Sequence, residues 1–518
     1  MKKNYNEFEK QKVRNKALKY AIKTLTKNRF KSTIARKSYV RDIKNYFQNN
    51  GTSNDKKVSS LLLDSEIDKW EAFYKSIIKK KKPSELRVAY LSGPNPENDI
   101  EVLIKYGILP ENIWAFESDN KVYNSAIISA LESQFPFVKI YKGKIENYLK
   151  ILPFKFDIIY LDFCATISSD KTISVVRDIF LYQKLETLGI LITNFSLPNT
   201  ENVENKDYRE VLNLLAANYL FPKSFTEKIS GLGGGFTESA ECHGISADEF
   251  LEIAKNNELN FYSQLITRIL YDLPSVLIPY QRLANNNALI NLFFKNFSQN
   301  SFNKNYNEDL QCFPNDNSLV WGLSDFLGIN KKTFHQNFTR FKSQLSIDSD
   351  ASKLLKNIEL VSYFMTERME DNLHSEKLEK IRKSWRINNK YIFCDVFMFH
   401  QLKDILIGQL TSPYFYNVDF TKRWLYNAKK TDMFMDLIVY DECRYIFDWM
   451  PTLDMFEEGV EDWNRQLSLR FAMDSIAKQR RWYNEEFFSG TAVIDQMEKT
   501  FEAKELKKRK RIIKPFDF

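Results

Sequence analysis

Between Arg87 and Ser196 the chain alternates five short apolar bursts with helix-like stretches, and this alternation limits the fold more than any other feature. The bursts are RVAYL from Arg87, NIWAFE from Asn112, VKIYKG from Val138, FDIIYLDF from Phe156 and ILITNFS from Ile190. The stretches between them are DIEVLIKYG, NKVYNSAIISALESQ, IENYLKIL and TISVVRDIFLYQKLETLG, the first closed by Gly107, a residue favoured just past a helix end. Strands that are apolar throughout and alternate with helices predict a parallel sheet covered on both faces. The expected fold class is therefore α/β, with a Rossmann-like parallel sheet.

The rest of the chain reads differently. Residues 1–85 are read as a basic helical extension, with apolar spacing of three and four in ALKYAIKTL, a polar break at QNNGTSND, and a second helix in VSSLLLDSEIDKWEAFYKSII. Residues 86–220 form the α/β domain and 221–310 a helical connector with a glycine-rich loop at Gly233–Gly235. Residues 311–518 are expected to be a large all-α C-terminal region. The formal charge of +8 is uneven: residues 1–50 hold 15 Lys and Arg against 3 Asp and Glu, a local balance of +12. Such an arm suits nucleic acid or another acidic partner, and equally a solvated helical cap. The five cysteines include no CxxC pair, which argues against a disulfide framework or a zinc ribbon and fits a cytoplasmic setting. No apolar run approaches the ~18 residues needed to cross a bilayer, so no membrane role is expected.

In an open α/β sheet, ligands bind beyond the carboxyl ends of the strands. Here those ends carry Ser92, Gly93, Pro94 and Asn95; Glu117, Ser118 and Asp119; Gly143, Lys144, Ile145 and Glu146; Asp162, Phe163 and Cys164; and Asn194, Phe195 and Ser196. Over residues 86–200 this order resembles the class I S-adenosylmethionine-dependent methyltransferases. The resemblance implies S-adenosylmethionine as cofactor. It puts Ser92, Gly93 and Asn95 in the loop under the methionine part and Glu117 with Ser118 at the ribose. It puts Lys144 and Ile145 at the adenine, and Asp162 at the head of the motif facing substrate. A carboxylate near the first loop, Glu97 or Asp99, would receive the cofactor's ammonium. The resemblance also raises Cys164 as a nucleophile, as in pyrimidine-C5 methyltransferases, although Phe163 stands where those enzymes have a proline. A buried or inert thiol is the plainer reading. A dinucleotide site is a poorer match, because one glycine cannot fill three distinct roles.

Two further segments carry motifs. Cys242 and His243 are adjacent, without a second pair at metal spacing, and no metal is assigned. LSDFLGINKKTFHQNFTRFK, from Leu323, resembles a helix-turn-helix, with Lys331, Lys332, Gln336 and Arg340 facing outward toward nucleic acid; a helical interaction module fits the same pattern. The function expected is thus a divergent methyltransferase acting on nucleic acid or a nucleic-acid-associated substrate. The alternative is a catalytically degenerate binding or regulatory subunit with protein partners on its helical C-terminal region.

Overall fold

The computed structural model describes residues 8–51, 53–167, 169–201, 203–220, 247–279, 282, 408–428, 431–449 and 463–483. Its centre is a seven-stranded sheet of order β3-β2-β1-β4-β5-β7-β6. The strands are β1 Val88–Leu91, β2 Ile113–Glu117, β3 Lys139–Lys142, β4 Phe156–Asp162, β5 Leu185–Ser196, β6 Phe415–Ala428 and β7 Thr431–Asp441. The first five are parallel, β7 runs antiparallel to β5, and β6 antiparallel to β7. Ile158, Ile159, Tyr160 and Leu161 of β4 are all buried, because β4 lies between β1 and β5 with helices on both faces.

The helices α5 (Glu97–Lys105), α6 (Asn120–Glu132), α7 (Ile145–Ile151) and α8 (Asp170–Leu181) connect the parallel strands. Strand order reverses between β1 and β4, so right-handed crossovers put α5 and α6 on one face and α8 on the other. That reversal opens a crevice at the carboxyl ends of β1 and β4. The helix α1 (Phe8–Leu25) packs beside α5 and against β5 and β6. Its buried side is Val13, Arg14, Ala17, Leu18, Ala21, Ile22 and Leu25, one continuous helical face.

Helices α2 (Tyr39–Asn50), α3 (Ser53–Ser60) and α4 (Asp64–Ile77) follow α1. They pack with two late elements, α12 (Arg444–Phe447) and α13 (Trp463–Tyr483). Trp70 Nε1 donates to the Tyr445 carbonyl at 3.0 Å and Tyr39 donates to Asp474 at 2.9 Å. The Ile34 N–H donates to Asp441 at 3.0 Å, and Tyr445 donates to the same carboxylate at 2.7 Å. Trp70 and Tyr74 are fully buried. At about 25 cal/mol per Å2, a ring burying about 200 Å2 contributes roughly 5 kcal/mol before entropy.

Three expectations are corrected. The region after residue 300 is not all-α: β6 and β7 lie within it and complete the sheet. The helix expected over Thr172–Gly189 ends at Leu181; Gln183 turns through a left-handed φ of 51°, and the LETLG segment begins β5. The second N-terminal helix is two helices, interrupted at Leu61–Leu63. Helices α9 (Val203–Leu220), α10 (Ala247–Asn256) and α11 (Glu258–Asp272) follow the sheet's first half. The glycine-rich loop, Cys242, His243 and the helix-turn-helix-like segment, with Lys331, Lys332, Gln336 and Arg340, lie outside the described residues.

Candidate functional site

The loop after β1 is built by its glycine and prolines together. The Ser92 N–H donates to the Phe116 carbonyl at 3.0 Å, extending the strand pairing by one step. Gly93 then takes φ +61°, a left-handed turn that side chains disfavour. A Cβ there would meet no atom within 4 Å, so the glycine serves the turn and its outer side faces open space. Pro96 occupies the cap position of α5, and Tyr90 donates to its carbonyl at 3.2 Å. The prolines therefore fix the entry to α5, whose Asp99 meets Arg14 of α1, while Glu97 accepts from the Ser129 hydroxyl of α6 at 3.0 Å. Asn95 is half-buried beside it.

Glu117 ends β2 half-exposed. One of its carboxylate oxygens accepts the Asp119 N–H at 2.8 Å, and the other has no hydrogen-bond partner among the described residues. Asp119 caps α6 by accepting from the Val122 and Lys121 N–H groups at 2.9 and 2.8 Å, and these two bonds hold its carboxyl below the ordinary range. Ser118 between them is exposed. Beyond β3, Gly143 takes φ +132° and its N–H donates to the Glu117 carbonyl at 2.8 Å. The next two residues diverge: Lys144 is exposed while Ile145 is buried, so the pair does not present two side chains to one ligand face.

Asp162, ending β4, is the hub of a hydrogen-bonded cluster. It accepts from Asn194 of β5 at 2.7 Å and pairs with Lys10 of α1 at 2.8 Å. The same Asn194 amide donates to the Tyr426 hydroxyl of β6 at 2.8 Å. Burial alone would lower the Lys10 ammonium, but Asp162 above all, then Cys164 and Asp99, outweigh it and hold Lys10 above its ordinary value. Cys164 is exposed at the rim, whereas Phe163 turns inward to stack on Phe195 with ring centres 5.4 Å apart.

Beneath α1 lies a second charged pair. Arg14 Nε stands 3.2 Å from Asp99 Oδ1, close enough for an ion pair but not aligned as a hydrogen bond. Burial pushes the Asp99 carboxyl up to about 6; Arg14 opposes that shift and Asp162 adds to it. Four buried atoms here lack a hydrogen bond: Arg14 Nε, Asp99 Oδ1, Tyr160 Oη and Asn194 Oδ1. Tyr160 is held well above its ordinary value by burial and then by Asp162 and Asp99, so it remains a neutral donor. Arg14 Nε and Asp99 Oδ1 offset each other as the ion pair, whereas leaving Tyr160 Oη and Asn194 Oδ1 unmade costs about 1–3 kcal/mol each. Two donors and two acceptors in one coupled cluster suit a ligand carrying both signs, such as an α-amino acid end. Glu117, on the far side of β1 from this cluster, suits a diol.

The structure thus brings Ser92, Gly93, Asn95, Glu117 and Asp162 to one sheet edge, with Cys164 at its rim. It joins to them Asp99 and Asn194, also noted in the sequence, and adds Lys10, Arg14, Tyr160 and Tyr426. Lys10 and Arg14 had a signal: two cations four apart on the apolar side of an amphipathic helix. Tyr426 had none, since it arrives from a strand not evident in the sequence. Among the described residues, no group of three His, Cys, Asp or Glu is placed to hold a metal, and no helix is long and apolar enough to cross a membrane.

The sheet is Rossmann-like in its five parallel strands and differs from an all-parallel dinucleotide-binding sheet in the reversed strand β7 between β5 and β6. No protein-family model and no curated protein matches the chain. Among solved structures, the chain is similar to protein arginine methyltransferase 10 of Arabidopsis thaliana, at 15% identity and a TM-score of 0.18. The match covers 40% of this chain and 56% of that one, so the chain spans little more than half of its neighbour's length.

Proposed function

We propose that the chain is a divergent S-adenosylmethionine-dependent methyltransferase whose acceptor is a nucleic acid or a nucleic-acid-associated molecule. The observation that carries this reading is the unsatisfied polar cluster at the sheet's switch point, next to the Gly93 turn of β1, which lies between it and Glu117 of β2. Arg14 and Tyr160 would hold the cofactor's carboxylate, Asp99 and Asn194 its ammonium, and Glu117 its ribose hydroxyls. When bound, the cofactor supplies an electrophilic methyl group. The protein's part is to fix the acceptor beside Asp162, keep water out under α1, and take up or relay the acceptor's proton.

Asp162 already carries the charge of Lys10. A cationic acceptor would have to displace that ammonium, whereas a neutral amine or amide hydrogen-bonds to the cluster as it stands. That favours a nucleobase-type acceptor over a basic peptide. The same ion pair also supports a second reading, a methyltransferase-like binding subunit in which Lys10 keeps the acid permanently engaged.

Calorimetry with S-adenosylmethionine separates these readings. The wild type should bind, and Glu117→Ala should weaken binding roughly 10- to 100-fold, the worth of hydrogen bonds to a charged group. No binding to the wild type sinks both the cofactor and the methyl transfer. Binding without transfer of labelled methyl to RNA, DNA or protein leaves the binding-subunit reading.

A further inference from the structure

Helix α1 divides its cations between two faces. At 100° per residue, Lys12, Lys16, Lys19 and Lys23 fall within about 60° of one another, while Lys10 and Arg14 lie on the opposite side. The structure follows that division. Lys10 and Arg14 are engaged by Asp162 and Asp99, and all four stripe lysines are exposed. Lys27 and Lys31 continue the exposed positive charge just past the helix. Glu9, at the far end, is the sole acidic residue of α1, and it pairs with Lys12 at 3.6 Å. Lys16, Lys23, Lys27 and Lys31 have no acidic partner among the described residues.

Aromatic rings flank the stripe on both sides. The Lys19 ammonium lies 5.8 Å from the centre of the Tyr106 ring, on the α5 side. On the β6 side, Lys422 lies 5.4 Å from the ring of Tyr20. Lysines in a row with aromatic faces beside them are the chemistry that tracks a single nucleic-acid strand, through its phosphates and its bases. A membrane surface is a poorer fit, because a helix lying in lipid needs its apolar face outward, and that of α1 is packed into the core.

We propose that this stripe is the track for one phosphate backbone, leading a single strand toward the Asp162 end of the sheet. The proposal rests on the methyltransferase reading only for its destination, not for the binding itself. Neighbouring lysines sit one helical turn apart, about 5–6 Å between Cβ atoms, so four can each meet a phosphate of one extended strand.

The test is fluorescence anisotropy of the full chain with a labelled single-stranded oligonucleotide of about 20 nucleotides, as RNA and as DNA. Four phosphate contacts give a salt slope near −0.7 per contact, or about a 50-fold loss between 50 and 200 mM salt. The variant Lys16→Gln/Lys19→Gln/Lys23→Gln should bind at least about tenfold more weakly at 50 mM salt, with a slope reduced to about a quarter. Its circular dichroism and thermal unfolding midpoint should equal the wild type's, which shows that it is folded. Equal oligonucleotide binding by variant and wild type overturns the track. Equally tight, stripe-dependent binding to phosphatidylserine vesicles or to a polyglutamate peptide also overturns it, in favour of a general anion surface. Stripe-dependent oligonucleotide binding by a wild type that ignores S-adenosylmethionine upholds the track and removes the methyltransferase reading.

Discussion

Asp99→Asn isolates the electrostatics beneath α1. The Asp99 carboxyl is pushed up to about 6, chiefly by burial, whereas an unfolded aspartate titrates near 3.9. Between those values the folded chain keeps a proton that the unfolded chain has released. Stability therefore falls as pH rises from about 4 to about 6 and is then level, the reverse of a carboxylate stabilised by its partner. Two units at 1.36 kcal/mol each set the full cost near 3 kcal/mol; from pH 4.5 to 7 about 2 kcal/mol of it develops. The groups facing Asp99 are Arg14 and Lys10 from α1, Asp162 from β4 and Glu97 of its own helix, and all remain in the variant. Asp441, also pushed up to about 6 by burial, tilts both proteins alike. Leaving Arg14 with a neutral neighbour shifts the variant's whole curve without changing its slope. Urea unfolding by tryptophan fluorescence, at fixed ionic strength, should show the variant gaining about 2 kcal/mol on the wild type between pH 4.5 and 7. Parallel curves would refute the reasoning. A wild type that gains on the variant would mean that Arg14, not burial, governs Asp99.

Two further outcomes follow from the rim of the crevice. Gly93→Ala should cost about 1–2 kcal/mol of stability, the strain of a left-handed alanine, because its Cβ meets nothing; a much larger loss on thermal unfolding would place a hidden contact there. Cys164→Ser should leave stability within about 0.5 kcal/mol, as for other exposed positions, and should retain methyl transfer; abolished transfer with intact cofactor binding would make the thiol a nucleophile.

The first, second and fourth strands are legible as short apolar runs, and the edge strand β3 as an alternating one, each leading to a glycine or an acid; their order alone locates Glu117 and Asp162. The start of β5 is not, since LETLG continues the helical spacing of α8 and only the turn at Gln183 interrupts it. The strand β7, DMFMDLIVYD, is buried along most of its length, and a continuous apolar run does not distinguish a buried strand from a buried helix. The strand β6 lies at the sheet edge, carries Lys422 and Arg423, and slips register between Asn417 and Lys422, which erases the alternation that would mark it. With β6 unseen, Tyr426 could not be placed at the site. Lys10 and Arg14 were visible as cations on the apolar side of a helix, but their partners emerge from tertiary packing alone.

The separation of β5 from its antiparallel neighbour has a consequence for how the chain is made. Strand β5 ends at Ser196 and its antiparallel partner β7 does not begin until Thr431, more than 200 residues later. At about 5–20 residues per second, that interval lasts roughly 10–45 s on the ribosome. Throughout it, an apolar twelve-residue strand presents an unpaired edge, the kind of surface on which nascent chains associate wrongly. The N-terminal helices wait as well, because the Ile34 amide and the Trp70 indole have partners only at Asp441 and Tyr445. Closure of the sheet is thus a late event of high contact order, and a chain released before residue 441 lacks the strand that shields β5.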